Sequence, residues 1–257
     1  MTVIILALIL ISFIFAPLGC IALWKRYIYF GDGLAHSSFL AASLSIIAQF
    51  PLIYSGLIVA ILFSLFVFIF KNNSGKDAVI NLVSSFMLAT ALIINYFYAS
   101  QNNIINLLFG DILLVSLEDL IILSIMLIVI IGFIIYFYNK ILLIIINKDI
   151  AVIKGIKVNA IELVFLLLLS LSVFSAVKIV GVLMITAILL IPAMIARFMS
   201  RNPVQMIIIA ILVSLSINFC AAIISFHFDL PLTPIFIIMG GFIYGVLFFG
   251  SRGWTTG

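Results

Sequence analysis

Charged residues are scarce in this sequence. Asp, Glu, Lys and Arg together make up 8% of the 257 residues, hydrophobic residues make up 67%, and there are two histidines. A soluble domain of this length is usually about a quarter charged. A water-soluble fold could not cover so much apolar surface. The composition therefore predicts an integral membrane protein.

Other features that the sequence lacks exclude further classes of protein. The only two cysteines, Cys20 and Cys220, lie among apolar residues, which predicts small buried side chains and excludes a disulfide framework. There is no GxxxxGK[ST] phosphate loop, no Ser-His-Asp arrangement and no HExxH motif, so we expect neither ATP hydrolysis nor another enzymatic activity in this chain. The basic residues are scattered, and nucleic-acid binding would need them clustered on one face.

The sequence consists instead of apolar runs, most of them long enough to cross a bilayer as a helix of about 20 residues. We predict one all-α membrane domain, residues 1–257, with nine spans, or eight if two runs merge. The predicted spans are 3–23, 37–50, 52–70, 78–98, 118–138, 160–177, 179–198, 204–225 and 233–250.

The basic residues support an odd number of spans. With nine spans, every Lys and Arg except Lys178 falls on one side of the membrane. Short loops rich in Lys and Arg stay in the cytoplasm. The pattern therefore predicts an external N-terminus and a cytoplasmic C-terminus.

Residues 31–38, GDGLAHSS, place an acid and an imidazole four residues apart. On a helix, this spacing puts Asp32 and His36 on one face. Carboxylate and imidazole are ligands for zinc, and they also serve manganese or iron. Ionisable groups within a membrane are costly and usually functional. One pair supplies too few ligands for a tight site, but two chains related by a two-fold axis would supply four.

A structural role for the same pair is the alternative. Asp32 could cap a helix that follows the glycines, which is worth about 1 kcal/mol. His36 would then satisfy a buried hydrogen bond.

Two connections have features beyond those of simple loops. In the cytoplasmic segment 139–159, DIAVIKG predicts a short helix with Asp149 and Ala151 that ends in a turn at Gly155. Such an element suits docking onto a soluble partner; the alternative is an interfacial amphipathic helix without one. The external segment 99–117 contains Asp111 and is either a gate or docking surface, or an interfacial anchor.

A second acid and imidazole pair, His227 and Asp229, follows the eighth span on the external side. These side chains are weaker candidates for sampling incoming metal, and the alternative is a solvated loop. Ligand chemistry alone does not separate the two interpretations.

Several of these motifs together resemble the zinc and manganese permeases of ABC transporters. The matching stretches are APLGCIALWKRYIYFGDGLAHSS at 16–38, NLLFGDILLVSLEDL at 106–120, DIAVIKGIKV at 149–158 and VKIVGVLMITAILLIPAMIARFMS at 177–200. They occur in the order of that family and extend over most of the chain.

The resemblance implies a type II ABC importer-like permease in a bacterial inner membrane, with the fold of the larger vitamin B12 and siderophore importers. It implies a homodimer bound to two cytoplasmic ATPase subunits, which would contact Asp149, Ala151 and Gly155. Zn²⁺ or Mn²⁺ would arrive on an extracytoplasmic metal-binding protein and pass Asp32 and His36, and no cofactor would be bound tightly.

One departure from the pattern of this family leaves the identity of the transported metal open. Some zinc members of the family carry a further histidine in the fourth helix, where this chain has Ala89 and neighbours without an imidazole. Manganese or iron import therefore stays an alternative to zinc import. A carrier driven by an ion gradient, with Asp32 and His36 as a proton relay, is a second alternative. An intramembrane enzyme and an importer of a metal chelate or cobalamin fit the sequence less well.

Overall fold

The computed structural model describes residues 2–49, 51–98, 110, 112 and 115–252. Over these ranges the chain forms helices and turns and no strand, with nine long helices and one short helix. The helices are α1 (Thr2–Trp24), α2 (Phe30–Ala48), α3 (Leu52–Ser74), α4 (Lys76–Tyr98), α5 (Leu117–Ile146), α6 (Lys148–Ile153), α7 (Val158–Val180), α8 (Val182–Met199), α9 (Pro203–Phe228) and α10 (Leu232–Arg252).

The predicted fold class is confirmed, because each predicted span corresponds to one of the long helices in the described ranges. Seven of these helices are long and apolar enough to cross a membrane. The other two are α2, which carries the polar GDGLAHSS stretch, and α8, whose apolar part at Met184–Met199 is shorter.

Two predicted boundaries are wrong. Helix α2 begins at Phe30 rather than at residue 37, so Asp32 and His36 lie inside it. Helix α5 continues to Ile146 rather than ending at residue 138, because the apolar run LLIII extends the helix past Lys140. The connecting segment predicted at 139–159 is correspondingly shorter.

Helices α1 and α8 pack so closely that a side chain cannot fit between them at one point. A Cβ placed on Gly19 would lie 1.8 Å from the carbonyl oxygen of Leu189. Most of α1 is buried, whereas α5 buries only a few of its 30 residues. Helix α1 is therefore central in the bundle, and α5 presents a broad apolar surface. Cys20 is buried as predicted, but Cys220 is exposed on α9, so that half of the prediction is wrong.

Candidate functional site

The two glycines around Asp32 allow α2 to fit between its neighbours. A Cβ on Gly33 would lie 2.8 Å from the ring of Phe63 on α3 and 2.9 Å from Ile80 on α4. A Cβ on Gly31 would lie 3.1 Å from Leu189 on α8. The residues on either side of Asp32 are thus buried against other helices, whereas the side chain of Asp32 itself is 61% exposed.

Asp32 and His36 lie together on the exposed side of α2. Nε2 of His36 is 3.7 Å from Oδ2 of Asp32, and the side chains are 44% and 61% exposed, respectively. This separation is short enough for an ion pair but longer than a good hydrogen bond. The two side chains therefore have free ligand atoms on the surface of the single chain.

The structure does not favour the structural role considered for this pair. The N-cap of α2 is Tyr29, with no side-chain cap hydrogen bond, and Asp32 lies within the first turn. His36 is nearly half exposed rather than buried. The interpretations in which Asp32 caps the helix and His36 makes a buried hydrogen bond are therefore wrong.

Asp32 also lines a cavity of about 460 Å³ between the starts of α2 and α4. Asp77 and Asn81 line the same cavity from α4, together with Tyr29. Sequence analysis missed Asp77, which lies four residues before Asn81 just as Asp32 lies four residues before His36. That repeated spacing at the start of a helix is the signal that would have indicated it.

The part of the chain that the structure describes has no group of three or more His, Cys, Asp or Glu side chains that could hold a metal ion. A four-coordinate zinc site needs more ligands than Asp32 and His36 supply. One chain therefore offers two of the four ligands that such a site needs.

The other candidate pair lies at the opposite end of the bundle. Nε1 of Trp24, at the end of α1, donates to Sδ of Met206 near the start of α9. Since α2 begins a few residues after Trp24, its Asp32 lies at the same end as the start of α9. His227 and Asp229 follow about 20 residues after Met206 along that helix, roughly 30 Å away at 1.5 Å per residue.

His227 and Asp229 themselves do not form a joint site. Asp229 has a left-handed conformation (φ 51°) at the end of α9 and lines a cavity of about 290 Å³ with Ser225 and Thr233. The ring of exposed His227 instead meets the ring of Phe228, 4.9 Å between centroids. The third external candidate, Asp111, and most of segment 99–117 lie outside the described residues.

The sequence DIAVIKG forms the short helix α6 and a glycine turn. Oδ1 of Asn147 accepts hydrogen bonds from the backbone N–H groups of Asp149 (2.9 Å) and Ile150 (3.0 Å), so Asn147 caps the helix. Gly155 has φ +74°, and the N–H of Ile156 donates to the carbonyl of Ala151 (3.0 Å), which closes the turn.

One face of α6 packs on the protein and the other is free. Ala151 is fully buried, and its small side chain lets the helix lie close against the bundle. Asp149 is exposed, as are the large apolar residues Ile150, Val152 and Ile153, the last at 84%. A short, capped helix with exposed apolar residues and one carboxylate is suited to contact another protein.

Comparison with known proteins places this geometry in context. The model of the family described as "ABC 3 transport family" matches residues 1–251. The high-affinity zinc uptake system membrane protein ZnuB of Buchnera aphidicola subsp. Acyrthosiphon pisum is 33% identical over 242 residues, which is 93% of this chain and 92% of that protein. ZnuB of the Schizaphis graminum subspecies is 30% identical over 243 residues, 93% of each chain.

Relatives named for other metals are less similar. A probable iron transport system membrane protein of Haemophilus influenzae is 27% identical, over 87% of this chain and 83% of that one. Among solved structures, PsaBC from Streptococcus pneumoniae in complex with Fab superposes with a TM-score of 0.83 at 22% identity, over 95% of this chain and 89% of that one. The fold is therefore that of a known structure.

Proposed function

The chain belongs to the ABC 3 transport family, and from this we propose that it is the membrane-spanning permease subunit of an ATP-driven importer of divalent metal ions. We propose zinc as the transported ion, since the relatives with the highest identity named above are zinc uptake proteins. The host membrane in this proposal is a bacterial inner membrane, with the C-terminus in the cytoplasm.

The observation that carries the proposal is the exposed pair of Asp32 and His36. Their ligand atoms lie 3.7 Å apart on one face of α2, and both side chains are accessible from outside the single chain. Carboxylate oxygen and imidazole nitrogen both bind zinc. A metal ion that reached this face would meet two ligands at once.

A second copy of the chain would complete the site. If α2 of two chains faced each other across a two-fold axis, two aspartates and two histidines would surround one ion. Two-fold dimers are the commonest soluble homo-oligomers, and in a two-fold interface the same surface of each copy meets itself. Wide spacing and access to water would keep the site weak, and conduction requires an ion to leave as well as to enter.

The chain needs partners for energy and for delivery. We propose that a separate ATPase subunit contacts α6 through Asp149, Ala151 and the turn at Gly155, with the exposed apolar side chains of α6 in the interface. An extracytoplasmic metal-binding protein would deliver the ion at the opposite end, near Asp229. Zn²⁺ is the substrate in this scheme and not a resident cofactor.

Manganese or iron import is the second candidate, favoured by the relative named for iron and by ligands that also suit these ions. The test is transport into proteoliposomes that contain this chain with its ATPase and its metal-binding protein. Zinc, manganese and ferrous iron are offered separately, each with ATP, without ATP, and without ATP under a pH gradient.

ATP-dependent accumulation of zinc above the other two ions is the expected result. Preferred accumulation of manganese or iron would replace zinc but keep the permease function. Accumulation without ATP under the pH gradient would contradict an ATP-driven importer and support a gradient-driven carrier.

A further inference from the structure

Groups from α3, α4 and the turn between α1 and α2 meet around one buried carboxylate, that of Glu162 in the second turn of α7. Oε1 of Glu162 accepts a hydrogen bond from the hydroxyl of Tyr27 (2.5 Å), and Oε2 pairs with Nζ of Lys71 on α3. Nζ of Lys76, at the start of α4, lies 3.4 Å from Oε1. Both carboxylate oxygens are therefore engaged.

Lys25 lies in the same region but has no anionic partner. The residue is only 8% exposed, and within the described ranges its ammonium group makes no hydrogen bond and no ion pair. The nearest recorded contact of Nζ is the ring of Phe165, whose centroid is 6.0 Å away. Burial lowers the pKa of Lys25 to about 8, partly offset by Glu162 and reinforced by the neighbouring lysines. A largely buried residue that carries a charge is stabilised when an anion joins it.

Lys25 and the neighbouring cations open onto a cavity of about 350 Å³. Five cationic side chains and one carboxylate line it, which gives a net charge of +4 with all of them ionised. The cavity volume falls within the range of small-ligand sites, about 300–1,000 Å³. The lining residues with charge are Lys25, Arg26, Lys71, Lys76, Lys148 and Glu162.

The rest of the lining is apolar and lies at the ends of membrane-spanning helices. Trp24 ends α1, Ile144 and Ile145 lie in the last turn of α5, and Val158 begins α7. These helix ends lie on the side that the positive residues predict to be cytoplasmic. Basic pockets between transmembrane helices on the cytoplasmic side bind anionic lipid headgroups, and this cavity combines a basic lining with an apolar wall.

We propose that this cavity is a binding site for a phosphate group, and that an anionic phospholipid of the inner leaflet supplies it. The ammonium of Lys25 would donate to the phosphate, with Arg26 and Lys148 at the mouth. Lys71 and Lys76 would stay with Glu162. Soluble phosphate has the same charged group, so the experiment must distinguish the two sources.

The full-length chain is placed in lipid nanodiscs that contain equal amounts of phosphatidylglycerol and phosphatidylcholine. Native mass spectrometry then counts the lipids that stay bound after release. Lys25→Gln tests the buried cation, and Lys148→Gln tests an exposed cation at the mouth whose loss should not affect folding. Arg201→Gln is the matched control, because it removes one exposed positive charge at the same end of the bundle but outside the cavity. Inorganic phosphate is added in a parallel series.

We expect wild type to retain phosphatidylglycerol preferentially, and each lysine variant to retain about fivefold less, the effect of one lysine near an anionic lipid. Arg201→Gln should match wild type. A different outcome is that inorganic phosphate displaces the lipid, and does so less effectively in Lys25→Gln. This result would keep the phosphate site but make soluble phosphate its source.

Equal retention in wild type and both lysine variants would overturn the proposal. Another contradictory result is a loss of ATPase co-purification in Lys25→Gln with lipid retention unchanged, since the cations would then serve an acidic protein surface.

Discussion

Lys71 on α3 and Glu162 on α7 form an ion pair in the interior of the protein, with 4% and 7% of their side chains exposed. The hydroxyl of Tyr27, between α1 and α2, donates to the same carboxylate. One acid therefore ties three parts of the bundle together at the end where the basic residues collect. The members of this network depend strongly on one another, because each group left alone would be a buried, unpaired charge or donor.

Replacement of this acid should destabilise the fold. Glu162→Gln leaves the ammonium of Lys71 buried without its counter-charge, and breaking a buried pair costs about 3–5 kcal/mol. Thermal unfolding in detergent should occur at a clearly lower temperature. Glu118→Gln is the control, since Glu118 is exposed and its loss should change stability by less than about 0.5 kcal/mol. Equal unfolding temperatures for the two variants would contradict the network.

A single methyl group should disturb the contact between α1 and α8. In Gly19→Ala, the new Cβ meets the backbone carbonyl of Leu189, which cannot move aside as a side-chain end can. We expect a loss of about 1–3 kcal/mol, typical of overpacking. Gly132→Ala is the matched control: a Cβ there has nothing within 4 Å, and alanine favours a helix by about 0.5–1 kcal/mol. Unfolding temperatures that change alike in the two variants would show that the close approach is unimportant.

Charge reversal on α6 should weaken the association with the ATPase. Asp149 is exposed beside the apolar residues Ile150 and Val152, so Asp149→Lys changes the proposed interface without removing a buried contact. We expect co-purification of the ATPase with this chain to fall by about tenfold, the scale of losing one charged contact and meeting a like charge. Glu118→Lys, an exposed acid on another helix, should leave co-purification unchanged. Unchanged co-purification of the ATPase with the Asp149→Lys variant would place the docking surface elsewhere.

Binding of anionic lipid should weaken as the pH rises above about 8. The pKa of Lys25 is lowered to about 8 by burial, so its ammonium is charged below that pH and neutral above it. Because this pKa lies below the usual lysine value of about 10.4, the attraction to phosphate is present at neutral pH and is lost on the alkaline side.

Comparison with a variant isolates this titration. The phospholipid phosphodiester stays ionised, and the other groups around the cavity are common to both proteins: Arg26, Tyr27, Lys71, Lys76, Lys148 and Glu162. Retention of phosphatidylglycerol in nanodiscs, measured between about pH 7 and pH 9, should fall in wild type and stay level in Lys25→Gln. Parallel curves for the two proteins would assign the dependence to another group.

Hydropathy was sufficient to predict the long helices, because a span depends on the length and apolarity of a local run. The boundaries of these helices are harder to predict where the sequence is ambiguous. Gly31 and Gly33 predict a turn before α2, yet both lie inside the helix, and at Gly33 a Cβ would lie only 2.8 Å from the ring of Phe63. The requirement for glycine there comes from packing partners distant in sequence.

Contacts between residues on different helices could not be predicted from the local sequence. In the sequence, Lys25, Lys71 and Lys76 indicate only the topology of the chain, and Glu162 belongs to no motif. Their meeting depends on which helix ends are adjacent, which no spacing in the sequence specifies. By contrast, Asp32 and His36 lie on the same helix, so their shared face followed from the helical period alone.

The most direct test of the metal pathway is zinc uptake by Asp32→Asn and His36→Ala in proteoliposomes with the ATPase and the binding protein, with ATP hydrolysis recorded in the same vesicles. Glu118→Gln serves as the control for loss of an exposed acid. Losing one of two ligands from each chain should lower uptake by at least about tenfold, the lower end of the effect of disturbing a metal site, while basal hydrolysis persists. Wild-type uptake in both variants would contradict the account, because the ion would then cross the membrane without meeting this pair.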